Sequence, residues 1–268
     1  MSVNCKSASL SQQAYIAQEE KKHRQIRLLR LMLLVLFLAL WELAATLQWI
    51  DAFIFSSPVL IFKCLISMAA DKSLFFHTGI TLLETLISFF FCTLLSLAAA
   101  LLLWSSRPLA QILEPYLVLL NSLPKSALAP LLIVWLGNNM KTVVTAAVSV
   151  AVFGSILTLY TGFSQMDPQQ ITLIYSLGGN RKDVLLKVLL PGSLPMLMSN
   201  MKVNVGLCLV GVIIGEFLSA KAGLGYLITY GSQTFAMTMV VTSIVILCIV
   251  SGVLYQIIAY AEMRIKKR

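Results

Sequence analysis

Charged residues are scarce in this sequence. They make up 12% of the 268 residues, whereas hydrophobic residues make up 59%, and the mean hydropathy is +0.88. A soluble domain carries about 25% charged residues and roughly 45–50% apolar residues. The shortage of charge therefore excludes an ordinary soluble domain and predicts an integral membrane protein.

Residue types that build catalytic and metal sites are also few. The five cysteines are scattered without any C-x-x-C spacing, and His23 and His77 each stand alone in the sequence. Cysteines with this spacing usually act as small apolar residues that fill the core, and not as disulfide partners or metal ligands. The sequence shows no nucleophile beside a base and no G-x-x-x-x-G-K phosphate loop. We therefore predict no catalytic residue, no metal site and no cofactor bound by this chain.

Five or six segments are long and apolar enough to cross a bilayer. A spanning helix needs about 20 apolar residues, because roughly 30 Å of hydrocarbon is crossed at about 1.5 Å per residue. Two of the six are less regular, because the segment 109–136 contains three prolines and the segment 196–217 begins with polar residues. The predicted fold is all-α, a polytopic membrane protein with about six transmembrane helices. The four clearest spans begin at Leu28, Ile80, Thr142 and Ala236.

Most lysines and arginines fall on one side of the six predicted spans. That side receives both basic ends of the chain and the cations of residues 181–187. Short cytoplasmic loops carry the excess of Lys and Arg, so we expect both termini to be cytoplasmic. Residues 1–27 are then a cytosolic basic tail, too polar for a cleavable signal, and residues 28–268 the transmembrane domain. Since the cations flank apolar spans, the net charge of +9 does not indicate nucleic-acid binding.

A polar stretch, about residues 164–190, lies between the fourth and fifth predicted spans. Asp167 and the proline after it are typical of a helix start, because the Asp side chain accepts from free N–H groups. Gly178 can adopt the left-handed conformation that ends a helix, and Asn180 can cap a second helix that ends at Pro191. Both helices are too short to span a membrane. The sequence predicts a cytoplasmic helix pair joined by a glycine elbow.

Two roles are open for this helix pair. It could rest on lipid headgroups as an amphipathic connector, with Arg181, Lys182 and Lys187 contacting anionic lipid. Alternatively, a soluble protein partner could bind it. The residues by themselves do not decide between these two roles.

Polar side chains within the spans are candidates for a translocation path. Pro124 and Pro130 each remove an intrahelical hydrogen bond from the third span, and irregular backbone at membrane depth survives only where protein or a water-filled cavity satisfies it. Neutral groups there either line a path or hold helices together. Ionisable groups are costly unless they face a partner or a cavity, so they favour function. The candidates are Glu84, Asn121, Ser122, Lys125 and Asn204.

The glycine elbow resembles the cytoplasmic coupling loop of ABC importer permeases. Leu177 and Gly178 match the invariant part of that loop, and "VLLPGSLP" matches its end. The acidic and small residues that name the loop are absent, since the segment Thr172 to Ile174 occupies their positions. The resemblance assigns contact with an ATPase to ten residues: Thr172, Leu173, Ile174, Tyr175, Ser176, Leu177, Gly178, Gly179, Asn180 and Arg181.

Three further segments resemble the nitrate, sulfonate and taurine permeases of that family. They are "NSLPKSALAPLLIVWLGNNMKT" from Asn121, "GEFLSAKAGLGYLI" from Gly215 and "SSPVLIFKCL" from Ser56. The similarity covers about residues 30 to 265 in the same order. One departure is that Glu84 and Ser88 stand where relatives usually show Arg and Gly, which leaves open any role tied to that Arg.

The resemblance implies the permease subunit of an ATP-driven importer in the bacterial inner membrane. Two copies would form the path, two copies of a separate ATPase would bind ATP and Mg, and an extracytoplasmic binding protein would deliver a small polar solute. Family solutes include nitrate, sulfonates, taurine and heterocycles such as thiamine precursors and riboflavin, and the segment around Lys125 is most similar to the heterocycle group. The alternative is a secondary transporter that does not use ATP, although no paired internal repeat is visible.

A symmetric pair would also cover polar groups of the third and fifth spans. In a single copy, Pro124, Pro130, Lys125 and Asn204 are expected to meet lipid. Pairing about a two-fold axis would hide them and present two identical helix pairs to two ATPases. The sequence therefore favours a homodimer, in which closure of the ATPases moves the elbow and tips the attached spans.

Overall fold

The computed structural model describes residues 10–219 and 221–265, which are helical almost throughout and contain no strand. The predicted all-α fold is confirmed for this part of the chain. The basic ends, residues 1–9 and 266–268, on which the orientation prediction drew, lie outside the described residues. A π-helical turn, Leu185–Leu189, joins α9 to α10. The helices are α1 Leu10–Thr46, α2 Ala52–Phe55, α3 Pro58–Ala70, α4 Ser73–Ser105, α5 Arg107–Ser122, α6 Lys125–Leu136, α7 Met140–Ser164, α8 Pro168–Ser176, α9 Arg181–Val184, α10 Leu190–Ser219, α11 Leu224–Gln233 and α12 Met237–Ile265.

The chain divides into two compact units between Lys63 and Cys64. In the first unit, α1 contains an apolar stretch, Arg24–Thr46, that is long enough to cross a bilayer. The Glu42 carboxylate accepts a hydrogen bond from the backbone N–H of Val59 at 3.1 Å. This bond ties the end of α1 to the start of α3.

The second unit holds the remaining candidate spans. Helices α4, α7 and α12 are each long and apolar enough to cross a membrane, and a further span, Arg181–Ser219, runs through α9, the π turn and α10. Helices α5 and α6 meet at 94° and qualify only as a bent pair. The described residues therefore contain five spans, or six if the bent pair counts as one, in agreement with the prediction.

Helix α7 packs against both α4 and α10 and forms the centre of the second unit. Gly211 on α10 lies so close to α7 that an added Cβ would be 2.5 Å from the Cα of Ala147. Cys92 of α4, Ala151 of α7 and Cys208 of α10 are fully buried in the same cluster. Because lipid tails are as apolar as the side chains, membrane helices associate through close packing of small residues of this kind.

The bent pair breaks at one proline rather than two. Leu123 precedes Pro124 and is extended, with ψ 137°, because the proline ring disfavours a helical residue before it. Pro130 lies inside α6, which continues to Leu136, so of these two prolines Pro124 alone interrupts the span. Pro130 lacks the N–H that would bond to the carbonyl of Ser126, and α6 nevertheless continues past it.

The fifth span begins earlier than the sequence indicates. The predicted second short helix does not end at Pro191, because α9 continues through the π turn into α10 without a break. A π turn bonds residue i to i+5 and so widens the helix, which makes room for the Pro191 ring next to it. Val184 and Leu189 are fully buried and hold this stretch in the bundle. The second arm of the helix pair is thus the first part of the fifth span.

Candidate functional site

The loop between α7 and α10 has the predicted helix start and glycine elbow. The Asp167 carboxylate accepts a hydrogen bond from the N–H of Gln169 at 2.9 Å and caps α8. Gly178 follows α8 with φ +78°, and no atom lies within 4 Å of the position a Cβ would take. Glycine is therefore favoured at position 178 by the left-handed backbone and not by lack of space.

The elbow has two arms, of which the first is α8 and the second is α9 with the π turn that follows it. These two arms are in close contact. An added Cβ on Gly179 would lie 2.8 Å from the carbonyl oxygen of Ile174, and the Gly179 N–H donates to that oxygen at 2.9 Å. On the second arm, the Asn180 side chain accepts from the Asp183 N–H at 3.1 Å, and the Asp183 carboxylate accepts from the Asn180 N–H at 2.9 Å. This reciprocal capping box and the Gly179 contact fix the angle between the arms.

The first arm exposes apolar side chains. Leu173 is 57% exposed, Tyr175 49% and Leu177 75%, whereas Ile174 is partly covered. Contiguous exposed apolar groups with polar neighbours mark surfaces that bind protein or membrane. Leu173 and Leu177 lie one turn apart on the same face of α8, and we call these two residues the elbow patch. Tyr175 lies on the other side of the helix and faces the ends of α4, α5 and α7 across a cavity. Thr172, Ser176, Asn180 and Arg181 beside it are also exposed.

The second arm is anchored in the bundle. Leu189 packs in one cluster with Ala100 of α4 and with Leu159 and Phe163 of α7. The Arg181 guanidinium lies 5.8 Å from the centre of the Trp104 ring, within the range of a cation–π contact. A displacement of the elbow would therefore be transmitted to α4, α7 and α10.

The first arm is less tightly packed than the second. A cavity of about 610 Å³ separates it from the ends of α4, α5 and α7, with Trp104, Arg107, Tyr160 and Thr172 among its lining residues. The first arm is therefore positioned mainly by its junction with the second arm.

At the bend between α5 and α6, Lys125 donates hydrogen bonds to backbone carbonyl groups at the end of α5. Its ammonium group donates to the carbonyl oxygens of Asn121 at 3.1 Å and Leu123 at 3.0 Å, and also to that of Leu120. The last carbonyl groups of a helix lack intrahelical partners, and a cation there also meets the negative end of the helix dipole. Lys125 thus caps α5 in this conformation.

Asn121 and Ser122 occupy the exposed side of the same bend. The Asn121 side chain packs over Gly154 of α7, where an added Cβ would lie 3.1 Å from its Oδ1. The Ser122 hydroxyl donates back to the carbonyl oxygen of Val118 at 2.9 Å. Lys125 therefore lies beside Asn121 and Ser122, and these two neutral groups remain available to a solute or to a second copy.

Asn204 joins two helices. It is 1% exposed, and its Nδ2 donates to the Ser155 hydroxyl of α7 at 2.8 Å, beside Asn200, which donates to the same oxygen at 2.7 Å. The expectation that Asn204 meets lipid in a single copy is wrong, because α7 of the same chain supplies its partner. Its assignment to the solute path stays a prediction.

Glu84 lies at the opposite end of the bundle, where sequence reasoning missed its partners. Its carboxyl group is within hydrogen-bonding reach of that of Glu216 on α10. The Thr81 hydroxyl donates to Glu216 at 2.6 Å and accepts from the N–H of Leu224 at 2.8 Å. These contacts join α4, the end of α10 and the loop before α11.

His77 belongs to the same group of contacts and is not isolated in the fold. Its Nδ1 accepts from the N–H of Gly223 at 3.0 Å, and its ring stacks on Tyr226 with centroids 6.0 Å apart. One signal could have revealed this group: His77, Thr81 and Glu84 are spaced four and three residues apart, so they share one face of α4.

The chain is similar in sequence to known membrane transport proteins. A model of the family described as "Binding-protein-dependent transport system inner membrane component" matches residues 92–267. A probable ABC transporter permease of Haemophilus influenzae is 32% identical and covers 86% of this chain and 94% of its own length. The formylaminopyrimidine transport permease ThiX of Halalkalibacterium halodurans is 26% identical and covers 72% of this chain and 76% of its own length. Permeases named for taurine, aliphatic sulfonates and nitrate are further relatives.

The fold also matches a solved structure. Inward-facing MetNI methionine ABC transporter coordinates contain a chain with a TM-score of 0.60 and 22% sequence identity, over 70% of this chain and 91% of that one. At this identity the match concerns the fold.

Proposed function

Because this chain belongs to the family of binding-protein-dependent transport system inner membrane components, we propose that two copies of it form the translocation path of an ATP-driven importer for a small polar solute. The chain is an ABC importer permease and a multi-pass inner-membrane protein. Permeases of this family have no ATPase site of their own. ATP and Mg would therefore be bound by two copies of a separate ATPase, and a binding protein outside the membrane would deliver the solute.

The elbow patch carries this proposal. Leu173 and Leu177 are exposed on one face of a short helix whose caps and glycine contact keep it rigid. A helix that only rests on lipid headgroups needs no fixed angle to its neighbour, whereas a lever that transmits movement does. The anchored second arm then connects the docked ATPase to α4, α7 and α10.

The solute is proposed to be a neutral nitrogen heterocycle and not an inorganic or sulfonate anion. An ammonium group has three donors, and Lys125 directs them at three backbone carbonyl oxygens. Recognition of an anion would require this cation to leave them. Asn121 and Ser122, which offer neutral hydrogen-bonding groups, suit a heterocycle, and one relative is named for formylaminopyrimidine transport.

The homodimer is supported by the presence of one elbow in each chain. An isologous pair provides two identical docking elements from one gene. It also covers the exposed residues Asn121 and Ser122 at the bend, whereas Asn204 already has its partners within one copy.

The test is ATP-dependent uptake into vesicles that contain the chain with its ATPase and binding protein. Leu173→Asp should abolish uptake and co-purification of the ATPase, because it introduces a charge into the elbow patch, while the chain remains in the membrane. Gln169→Asp is the matched control: it is exposed in the first turn of α8, where an acid is favourable, and should behave as the parent. Normal uptake by the Leu173 variant would refute docking at this patch.

The same vesicles distinguish the solutes and the subunit composition. Labelled formylaminopyrimidine should be accumulated, and accumulation of taurine instead would contradict the heterocycle assignment. Two differently tagged copies of the chain should purify together. Recovery of one tag with a second permease species would replace the homodimer by a heterodimer.

A further inference from the structure

Two carboxyl groups lie buried side by side at the end of the bundle opposite the elbow. Glu84 of α4 is 4% exposed and Glu216 of α10 is 1% exposed. Thr81, which shares one face of α4 with Glu84, donates to the Glu216 carboxylate at 2.6 Å, so the two carboxyl groups are neighbours across the interface of α4 and α10. Within residues 10–219 and 221–265, neither forms an ion pair with Lys, Arg or His. Two adjacent like charges in such a buried site are strongly unfavourable.

The two carboxyl groups have unequal surroundings. Glu216 accepts hydrogen bonds from the Thr81 hydroxyl at 2.6 Å and from the backbone N–H of Gly225. A carboxylate is an acceptor on both oxygens, so this environment suits the ionised form. Among the residues that the structure describes, none donates comparable hydrogen bonds to the Glu84 side chain, and its Oε2 is buried without a hydrogen-bond partner. A neutral acid tolerates that unpartnered oxygen far better than a carboxylate does.

The charged and titratable groups on the neighbouring elements do not neutralise Glu84. His77 on α4 accepts a bond from the Gly223 N–H, and Tyr226 on α11 stacks on His77. Lys141 on α7 is exposed. Lys221, in the loop after α10, lines the same cavity as Glu84 but is not within ion-pair distance of it.

We propose that Glu84 and Glu216 form a binding site for one proton, which resides on Glu84 and is donated in a hydrogen bond to the Glu216 carboxylate. The site is independent of the transported solute and of the ATPase. It converts a repulsive pair of carboxylates into an acid–carboxylate hydrogen bond. The charge-assisted form of such a bond is short and strong.

A cavity gives this proton a route to solvent. Its volume is about 210 Å³, and Glu84 lines it together with Asn139, Ser219 and Lys221. Its other lining residues include Ile80, Met140 and Val143, so any water in it would bind to the polar groups. At alkaline pH the proton would leave through this cavity, and the Lys221 ammonium on its wall would face the new charge on Glu84.

The proton therefore controls a junction of three elements. Three successive backbone N–H groups of the loop donate hydrogen bonds to this junction. The N–H of Gly223 donates to His77, that of Leu224 to Thr81 and that of Gly225 to Glu216. With the proton bound, α4, α10 and the loop before α11 are tied together. Without it, repulsion between Glu84 and Glu216 separates α4 from α10 and loosens the loop.

Infrared spectroscopy of the full-length chain in lipid vesicles tests the protonation directly. At neutral pH the parent should show the carbonyl stretch of a protonated carboxylic acid, and this band should disappear at alkaline pH. Glu84→Gln should lack the band, since its amide replaces the acid as donor to Glu216. Glu262→Gln is the control, because Glu262 is ion-paired with Lys202, and it should keep the band. A parent without the band, or an unchanged band in Glu84→Gln, would overturn the proposal.

Thermal unfolding provides the second measurement and requires no transport activity. As pH rises, the parent loses the proton and gains like-charge repulsion, so its melting temperature should fall by about 4 °C more than that of Glu84→Gln. Lysine and tyrosine titrations are common to both proteins and cancel in this difference. Equal losses in the two proteins would show that no proton is shared, whereas a selective loss in the parent supports the site.

Discussion

Gly178 and Lys125 show how strongly backbone requirements act on single residues in this protein. Gly178 adopts φ +78° with open space around it, so its identity is set by conformation. Lys125 is an ionisable residue in a bent span, and its ammonium group is bonded to three carbonyl oxygens. At position 178 the lack of a side chain permits a left-handed backbone, and at position 125 the side chain supplies hydrogen bonds to the end of α5. Both residues therefore stabilise a backbone geometry, and their effect on function acts through that geometry.

Replacing Gly178 with Val should uncouple the elbow. A β-branched residue in the left-handed conformation costs about 1–2 kcal/mol, and relief of this strain would rotate the first arm relative to the second. Membrane insertion should persist, since no span is altered. We expect ATP hydrolysis stimulated by loaded binding protein to fall severalfold in the purified assembly.

Gly178→Asn is the matched control for that change, because Asn tolerates the left-handed region better than other non-glycine residues. It should retain most of the stimulated ATP hydrolysis. If Gly178→Val hydrolysed ATP as the parent does, the glycine would be only a loop residue and the rigid-elbow mechanism would lose its support.

At the scale of elements, α7 is the helix on which the others are assembled. Its small residues let α10 approach closely, and its Ser155 accepts the amide groups of Asn200 and Asn204. The same helix carries Leu159 and Phe163, against which the second arm of the elbow is anchored. A movement of the elbow therefore reaches the middle of the bundle through α7 and α10 together.

Asn204→Leu measures the bond between these two helices. It removes one interhelical hydrogen bond, which should cost about 0.6–1.7 kcal/mol, and the larger leucine adds overpacking strain, so the melting temperature should fall by at least roughly 2–4 °C. Because Asn204 is buried between helices, the KM for uptake should not change. Asn121→Leu, on the exposed side of the bend, should raise KM with little loss of stability. A large rise in KM for the Asn204 variant would instead assign it to the solute path.

At the scale of the whole molecule, the connectivity of the spans separates the two sites. The elbow and the Glu84–Glu216 pair lie at opposite ends of α7 and α10. The orientation that we predict from the lysines and arginines would make the elbow cytoplasmic and the acid pair extracytoplasmic. The elbow patch would then face the ATPase, and the acid pair would lie on the side reached by the binding protein.

Reporter fusions test this orientation. A reporter inserted within residues 164–190 and one fused after Arg268 should both report a cytoplasmic location. Fusions at Lys72 and at Lys221 should report the opposite side, because each lies one span away. An external location for residues 164–190 would refute docking of the ATPase at the elbow.

Much of the architecture followed from local sequence. Apolar segments of about 20 residues cross a bilayer wherever they occur, so the number and approximate positions of the spans could be predicted. Asp167, Gly178 and Asn180 act on backbone groups within three residues of themselves, and the elbow could be predicted for that reason. Capping and left-handed turns are short-range effects, and they remain visible without the rest of the chain.

The tertiary structure decided what depends on contacts between distant residues. Pro130 and Pro191 are both helix breakers in isolation, yet α6 continues past Pro130, and the fifth span continues past Pro191, which follows a π turn. Glu84 and Glu216 are neighbours in the fold although more than a hundred residues separate them in the sequence. The Ser155 hydroxyl accepts hydrogen bonds from two side-chain amides of α10. Side-chain partners across a helix interface depend on the rotation and depth of each helix in the bundle. Those quantities are set by packing around α7, which no local pattern encodes.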